Sequence, residues 1–422
     1  MTSLHDYLNS KLNEYNLPIL NETEWKELNE KHSKDEIKEE LANIIVDGQA
    51  KFPFRKISFN DMAEKFRSFC ADDCINYYMH DVECMEKFSD YKYPYKDFGL
   101  FTIQLGHHYN DVSNYFMQAV RYQCAGYSRE APIDIWKDKE KLKNLNWTLW
   151  RMGTKELDMG AYRATFRLGS YVATQFKPHV AKAIYQATNS KNILDTSCGW
   201  GDRLAAFYAS PNTEVYIGCD PNETTFEIYK LMCLTYERIL TGQMPQMNVF
   251  GDAFECVGSK RVMIFKSPSE ELNLSNIPIK FDCYFTSPPY FATELYNKGG
   301  QGEDLQSWKR YDTYELWRDN FFFLTLKNFS GMMSDDGIIL MNIIDPVIKG
   351  KRYNVCDELV DFMKQDFHFL GQIGMKMKQR PKKSDTLSEF LQENFIENVW
   401  CFSKNKNYEF ATKYKTLEQF ME

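Results

Sequence analysis

The sequence predicts an α/β protein, a Rossmann-like doubly wound sheet of seven strands preceded by a mostly helical N-terminal region. Two observations predict it. From about residue 191, short apolar strands alternate with helical segments, the pattern of parallel strands covered on both faces. Before about residue 145, helical spacing dominates and strict alternation is scarce.

The N-terminal helices carry their own start signals. Ser33 stands three residues before Glu36, at the head of Glu36-Ile37-Lys38-Glu39-Glu40-Leu41, which is the spacing of a capping box. Trp25-Lys26-Glu27-Leu28 has the same helical texture. Two aromatic and polar stretches, 91–96 and 106–110, interrupt the pattern; they suit base stacking, and they equally suit packing on a core. Strands are predicted at 192–196, 214–219, 247–252, 282–286, 337–344, 368–374 and 398–403, with helices at 203–209, 223–241, 314–329 and 354–365. Trp317, Phe321 and Leu324 have the spacing of a buried helix face. The chain therefore divides into a helical accessory region at 1–145, a connector at 146–190, a sheet domain at 191–405 and a tail at 406–422.

Composition narrows the class. At 422 residues the chain exceeds one ordinary compact domain, so a large domain with an accessory region is expected. An aromatic content of 15% excludes a disordered or fibrous chain. The net charge of -8 excludes a uniformly basic nucleic-acid coat and leaves room for a local basic face. Lys376, Lys378, Arg380, Lys382 and Lys383 form such a run, readable as a phosphate contact or as a solvated loop. Eleven cysteines without a CxxC pair, and seven histidines without ligand spacing, indicate neither a disulfide framework nor a metal site. Neither a signal peptide nor a membrane span is legible, so an intracellular, cytoplasmic protein is expected. Nothing in the sequence speaks to oligomeric state.

The chemistry-bearing residues gather at predicted strand ends. The first strand runs into Asp195-Thr196-Ser197-Cys198-Gly199-Trp200-Gly201-Asp202, a glycine-containing turn opening onto a helix. Such a turn also serves dinucleotides, but Leu204 stands where the third glycine of G-x-G-x-x-G belongs. The second strand ends in Asp220, about 20 residues after the turn, where an acid can accept both hydroxyls of a ribose. The third predicted strand ends in Gly251-Asp252-Ala253-Phe254, offering an acceptor for an adenine amino group and a wall for its ring. The fourth ends in Thr286-Ser287-Pro288-Pro289-Tyr290. Each proline fixes its own φ and biases the residue before it toward extended geometry, so this segment is a stiff loop. Pro-Pro also simply ends strands, as any one of these acids also suits a solvated strand end; four such ends in succession favour a ligand site.

Residues 191–404 resemble the catalytic domain of the S-adenosylmethionine-dependent methyltransferases that modify the exocyclic amino nitrogen of cytosine or adenine in DNA. Ser287-Pro288-Pro289-Tyr290 matches that family's catalytic tetrapeptide in its Ser form, which is commoner among N4-cytosine enzymes than the Asp or Asn form of adenine enzymes. Ala173-Thr174-Gln175-Phe176-Lys177-Pro178 is similar to the family's cofactor-capping segment. The resemblance implies a seven-stranded methyltransferase sheet that binds S-adenosylmethionine. Thr174, Gln175, Phe176, Lys177, Asp195, Ser197, Cys198, Gly199, Gly201, Asp220, Asp252, Ala253 and Phe254 would hold the cofactor. Ser287, Pro288, Pro289 and Tyr290 would hold the target base. The implied partner is DNA, with RNA as an alternative; an adenine-N6 enzyme and a catalytically silent binding subunit are the other readings, and the sequence does not speak to pairing with a restriction nuclease. About 85 residues separate the glycine turn from the tetrapeptide, too few for an inserted recognition domain, so target recognition is expected from residues 1–145, the loop after Tyr290 and the basic run.

The tetrapeptide also makes chemical sense. An exocyclic amine is a weak nucleophile because its lone pair is delocalised into the ring. Acceptors at Ser287 Oγ and the Pro288 carbonyl would draw its two hydrogens and shift the nitrogen toward sp³ geometry, while Tyr290 stacks on the base. A duplex substrate would need the base flipped out. No covalent intermediate is required, so Cys198 and Cys283 are expected to be packing residues.

Overall fold

The computed structural model describes residues 3–80, 91–93, 100–102, 109–377, 395–410 and 415–416. They fall into two compact units: one of residues 57–117, 175–293 and 299–422, the other of 1–56, 118–174 and 294–298. Helix Phe59–Ala71 thus falls in the same unit as the sheet.

The larger unit is built on one twelve-stranded sheet. Its strands are β1 (Tyr78–His80), β2 (Leu100–Thr102), β3 (Asn192–Asp195), β4 (Val215–Cys219), β5 (Gln246–Phe250), β6 (Ala253–Val257), β7 (Arg261–Phe265), β8 (Phe281–Thr286), β9 (Met333–Asn342), β10 (His368–Met377), β11 (Phe395–Ser403) and β12 (Lys415–Thr416). They lie in the order β12-β1-β2-β10-β11-β9-β8-β3-β4-β7-β6-β5. The five strands β7-β4-β3-β8-β9 are parallel neighbours, and β11 lies antiparallel between β9 and β10. Those seven strands form the Rossmann-like α/β sheet; the alternation predicts six of them, and β7 is the exception.

Burial explains why the central strands are continuous apolar runs. On β3, Ile193 packs into one core and Leu194 into the other; on β8, Cys283 and Phe285 face one way and Tyr284 the other. Helices α1 (Phe59–Ala71), α2 (Pro178–Ala187), α3 (Asp202–Ala209) and α4 (Glu223–Thr241) cover the first face. The second is covered by α5 (Val355–Met363) and by a helical stretch of Tyr314–Trp317, Arg318–Phe323 and Leu324–Ser330. Arg318–Phe323 is a π-helical turn. Its extra residue per turn shifts the helical phase, so Trp317 and Phe321 are buried as expected while Leu324 is 37% exposed.

One strand assignment is corrected. The segment predicted as the third parallel strand, 247–252, is β5, the outermost strand of two antiparallel hairpins. A left-handed Gly251 (φ 58°) turns β5 into β6, and β6 returns through Gly258 to β7, the strand that pairs in parallel with β4. The turn brings Asp252 back to the carboxyl edge, where Lys266 N–H donates to its carbonyl at 2.6 Å.

The smaller unit is helical. Glu22–Lys31 and Lys34–Asp47 each open on a capping box, Asn21 with Glu24 and Ser33 with Glu36, the second read from the sequence. These helices pack with Lys139–Asn146 and Met159–Gly169 around Trp25, Ile37, Leu41, Trp136 and Phe166. Its only strands among the described residues are Ala125–Gly126 and Glu294–Leu295, which pair antiparallel.

Candidate active site at the carboxyl edge of the sheet

Strand β3 has β4 on one side and β8 on the other, and the chain reverses direction across the sheet between β7 and β8. The crevice above β3 is therefore a topological switch point, where open α/β sheets bind ligands. The loops after β3, β4 and β8 meet there.

The loop after β3 is anchored by Asp195, which is fully buried. Its carboxylate accepts from Arg203 Nε (2.7 Å) and a second guanidinium nitrogen (3.2 Å), Tyr216 Oη (2.6 Å), Thr286 Oγ1 (2.8 Å) and Ser197 N (3.2 Å). Five protein donors saturate it, so Asp195 organises the site and has no capacity left for a ligand. The Arg203 guanidinium lies beside the edge-to-face pair Phe176 and Phe285, with its carbon 5.5 and 5.9 Å from their centroids. Gly199 (φ 58°) and Gly201 (φ 74°) take left-handed backbone, and Gly201 caps α3. A Cβ at Gly201 would lie 2.5 Å from Met232 Cε.

Asp220 follows β4 directly. Its carboxylate accepts from Gly199 N (3.1 Å), Asn222 N (3.0 Å), Tyr229 Oη (3.2 Å) and Thr225 Oγ1 (3.3 Å). Each hydroxyl has one hydrogen and a nearer alternative: Tyr229 also reaches the Gly199 carbonyl, and Thr225 the Asn222 carbonyl at 3.1 Å. The two amides are thus the fixed donors, and the carboxylate keeps room for two further hydroxyls. Burial pushes its pKa up to about 6, against the pull of these hydrogen bonds.

The loop after β8 starts from Thr286, whose hydroxyl holds Asp195. Ser287 is part-buried and Pro288 buried; Phe291 takes φ 51°, and its N–H closes a tight turn on the Pro289 carbonyl at 3.0 Å. Ser287 Oγ lies 3.5 Å from Tyr290 Oη. Tyr290 Oη in turn contacts Asn342 Oδ1 (3.2 Å), at the end of β9, and donates to Glu397 Oε1 on β11. The Asn342 amide donates to the Asn398 carbonyl at 3.1 Å, which fixes its orientation. Burial raises the Glu397 pKa, while hydrogen bonds from Tyr290 and Asn342 and the charge of Lys177 oppose the rise.

The remaining sequence-predicted residues divide by burial. Phe254 is fully buried with its ring 5.4 Å from Phe226, and Ala253 is buried beside it. Asp252 is exposed at the hairpin tip and ion-paired with Lys266 at 3.0 Å. Gln175 is buried and donates to Asn110 O (3.0 Å), Ser113 Oγ (2.6 Å) and Asp202 Oδ1 (2.7 Å), tying the segment before α2 to the head of α3. Lys177 is buried at the start of α2, and Thr174 is exposed and belongs to the other unit. The Cys198 and Cys283 thiols are buried and pushed up by burial, as packing residues would be. The side chain of Lys376 and the whole of Lys378, Arg380, Lys382 and Lys383 lie outside the described residues. His179 is buried, and the His107-His108 pair also lies outside them.

Asn342 and Glu397 escaped the sequence reading. The available signal was small: Glu397-Asn398 puts two polar residues side by side in an otherwise apolar strand, where period-two alternation allows one.

No protein-family model matches the chain, and no curated protein matches it. Among solved structures, 55% of it is similar to 49% of TrmN from Thermus thermophilus, at 10% identity and a TM-score of 0.30. The chain thus spans about half the length of TrmN. It is similar over 53% of its length to 90% of the N-methyltransferase NodS from Bradyrhizobium japonicum WM9 (9% identity, TM-score 0.30). A third match joins 54% of it to 96% of the methyltransferase domain of bacterial CtHen1-CN (10% identity, TM-score 0.32). Among the described residues no helix is long and apolar enough to cross a membrane.

Proposed function

We propose that the protein is an S-adenosylmethionine-dependent methyltransferase acting on the exocyclic amino nitrogen of a nucleic-acid base, with cytosine N4 in DNA as the preferred target. The observation that carries this reading is the meeting of three loops at one switch point: a left-handed glycine turn, an acid with spare acceptor capacity, and Ser-Pro-Pro-Tyr.

The residues present fit the cofactor. Asp220 can take two ribose hydroxyls once Tyr229 and Thr225 turn to their carbonyl acceptors. Gly199 and Gly201 supply the left-handed backbone that the turn needs, and Gly201 also leaves room for Met232 behind it. When bound, S-adenosylmethionine supplies an electrophilic methyl group on a sulfonium sulfur. Ser287 Oγ and the Pro288 carbonyl accept the two amino hydrogens of the base and raise the nucleophilicity of its nitrogen. The prolines keep both acceptors in place without a loss of entropy at binding. Tyr290, held at its hydroxyl, offers its ring to the base. Serine at position 287 favours cytosine over adenine by resemblance to the family's Ser form, and RNA is the alternative polymer.

Ser287→Ala tests the assignment. The hydroxyl touches the target and not the cofactor, so single-turnover methyl transfer should fall by about 10²-fold or more while the calorimetric affinity for S-adenosylmethionine stays within about twofold. Undiminished transfer would refute the clamp.

A further inference from the structure

We infer that Glu397 is a positioning residue of the target-base clamp, the terminus of a relay Ser287–Tyr290–Glu397 that orients the serine as an acceptor and receives the proton the base gives up. The inference rests on the amino-methylation reading above. Its geometry is independent of it: three side chains from the loop after β8 and from β11 in hydrogen-bond sequence, braced by Asn342 from β9.

The polarity of the chain follows from counting hydrogens. An ionised carboxylate only accepts, so the single hydroxyl hydrogen of Tyr290 goes to Glu397, its nearer acceptor, in preference to Asn342 Oδ1 at 3.2 Å. Tyr290 Oη then accepts from Ser287 Oγ, which lies 3.5 Å away in this structure, so the relay requires this contact to shorten when a base is bound. With its own hydrogen committed to Tyr290, Ser287 faces the amine with lone pairs alone. A neutral serine by itself is as ready to donate as to accept; a carboxylate two bonds away removes that ambiguity. Glu397 thus gives Ser287 the character that an aspartate at the same position would have directly.

The proton balance closes. The amine nitrogen gains a methyl group from the sulfonium donor and forms an N–C bond as the donor's S–C bond breaks, so it must lose one hydrogen as a proton. That N–H bond breaks toward Ser287 Oγ, the serine proton moves to Tyr290 Oη, and the tyrosine proton moves to Glu397, which ends as a neutral acid. Ser287 and Tyr290 are unchanged overall. The proton leaves Glu397 to solvent before the next turnover. Burial, which raises the Glu397 pKa against the opposing charge of Lys177 ahead of α2, makes the carboxylate a better sink than an exposed glutamate.

The test uses the full chain. Glu397→Gln keeps the shape and an acceptor for Tyr290 but takes no proton; Tyr290→Phe keeps the ring and cuts the relay. With the cofactor saturating, so that Asp220 is occupied, single-turnover transfer should fall by roughly 10–100-fold in each variant. Its alkaline-rising limb should vanish in Glu397→Gln, and the double variant should be no worse than the slower single one. In a Ser287→Asp background Glu397→Gln should have no further effect. A readout without cofactor is the infrared band of the protonated carboxyl that Glu397→Gln removes: its titration should move to higher pH in Tyr290→Phe, which loses a donor to the carboxylate. Additive losses, an unmoved carboxyl titration, or a Glu397→Gln variant matching an active wild type across pH would each overturn the relay and leave amino methylation standing. A correctly folded wild type that methylates no nucleic acid would overturn both.

Discussion

Thr286 Oγ1 donates to Asp195 Oδ1 at 2.8 Å, so the last residue of β8 is bonded to the last residue of β3. This one contact joins the loop that carries Ser-Pro-Pro-Tyr to the loop that carries the glycine turn. The Asp195 carboxylate also holds Arg203 and Tyr216, so both loops are set by a single buried anion.

Breaking that joint should cost stability in two distinguishable sizes. Thr286→Val removes one donor and leaves four, and should destabilise by about 1–3 kcal/mol. Asp195→Ala leaves the buried Arg203 guanidinium without its partner and should cost about 3–5 kcal/mol. Urea denaturation of the two variants should reproduce this order; equal and negligible losses would remove Asp195 as the organiser.

Cofactor binding should follow the ionisation of Asp220. Its carboxyl, raised by burial to about 6, accepts hydroxyls best when ionised, so affinity for S-adenosylmethionine should hold above that pH and decline as pH falls through about 6. Asp220→Asn should bind more weakly and without this pH dependence. The effect on folding has the opposite sign. The folded protein holds this proton more tightly than the unfolded chain, so the contribution of Asp220 favours the fold at low pH and is lost as pH rises from its usual 3.8 through about 6. Calorimetric titration from pH 5 to 8 measures the binding part directly.

Gly201→Ala should disturb the turn through backbone and packing together. The residue sits at φ 74°, and the new Cβ would press on Met232. A loss of about 1–3 kcal/mol is expected, with weaker cofactor binding. Gly242→Ala, at φ 75° with open space around it, should cost less and leave binding unchanged.

Lys260 should give the fold an alkaline-side signature. Its ammonium donates to Phe207 O at 3.0 Å, Thr213 Oγ1 at 2.6 Å and the Ser210 carbonyl, closing the end of α3. Burial depresses its pKa to about 8 from 10.5. Between those values the unfolded chain binds the extra proton, so stability should rise with pH across the window. Lys260→Met should flatten that rise and cost about 1–3 kcal/mol near neutrality.

What the sequence disclosed depended on the range of the interaction. The central strands and α4 were legible because their apolar runs and caps are local, as Asn222 and Gly242 show at the two ends of Glu223–Thr241. The pair β6 and β7 was missed because Ala253-Phe254-Glu255-Cys256-Val257 continued what looked like the exit of a parallel strand; only pairing partners reveal the hairpins. Strands β1 and β2 are three residues each, and β2 pairs with Ile373–Met375, some 270 positions away, so no local pattern announces them. Within the site, the glycine turn, Asp220 and the tetrapeptide were visible as motifs at strand ends. Glu397 was not, because the predicted strand begins one residue later, at Asn398, and nothing local ties that acid to Tyr290.

Methyl transfer from labelled S-adenosylmethionine to matched DNA and RNA pools, followed by digestion to nucleosides, tests the central claim most directly. The site described here predicts label in an N-methylated nucleoside, N4-methyldeoxycytidine foremost, that disappears in Ser287→Ala. Label on carbon or on a ribose oxygen, or no label in any nucleoside, would contradict it.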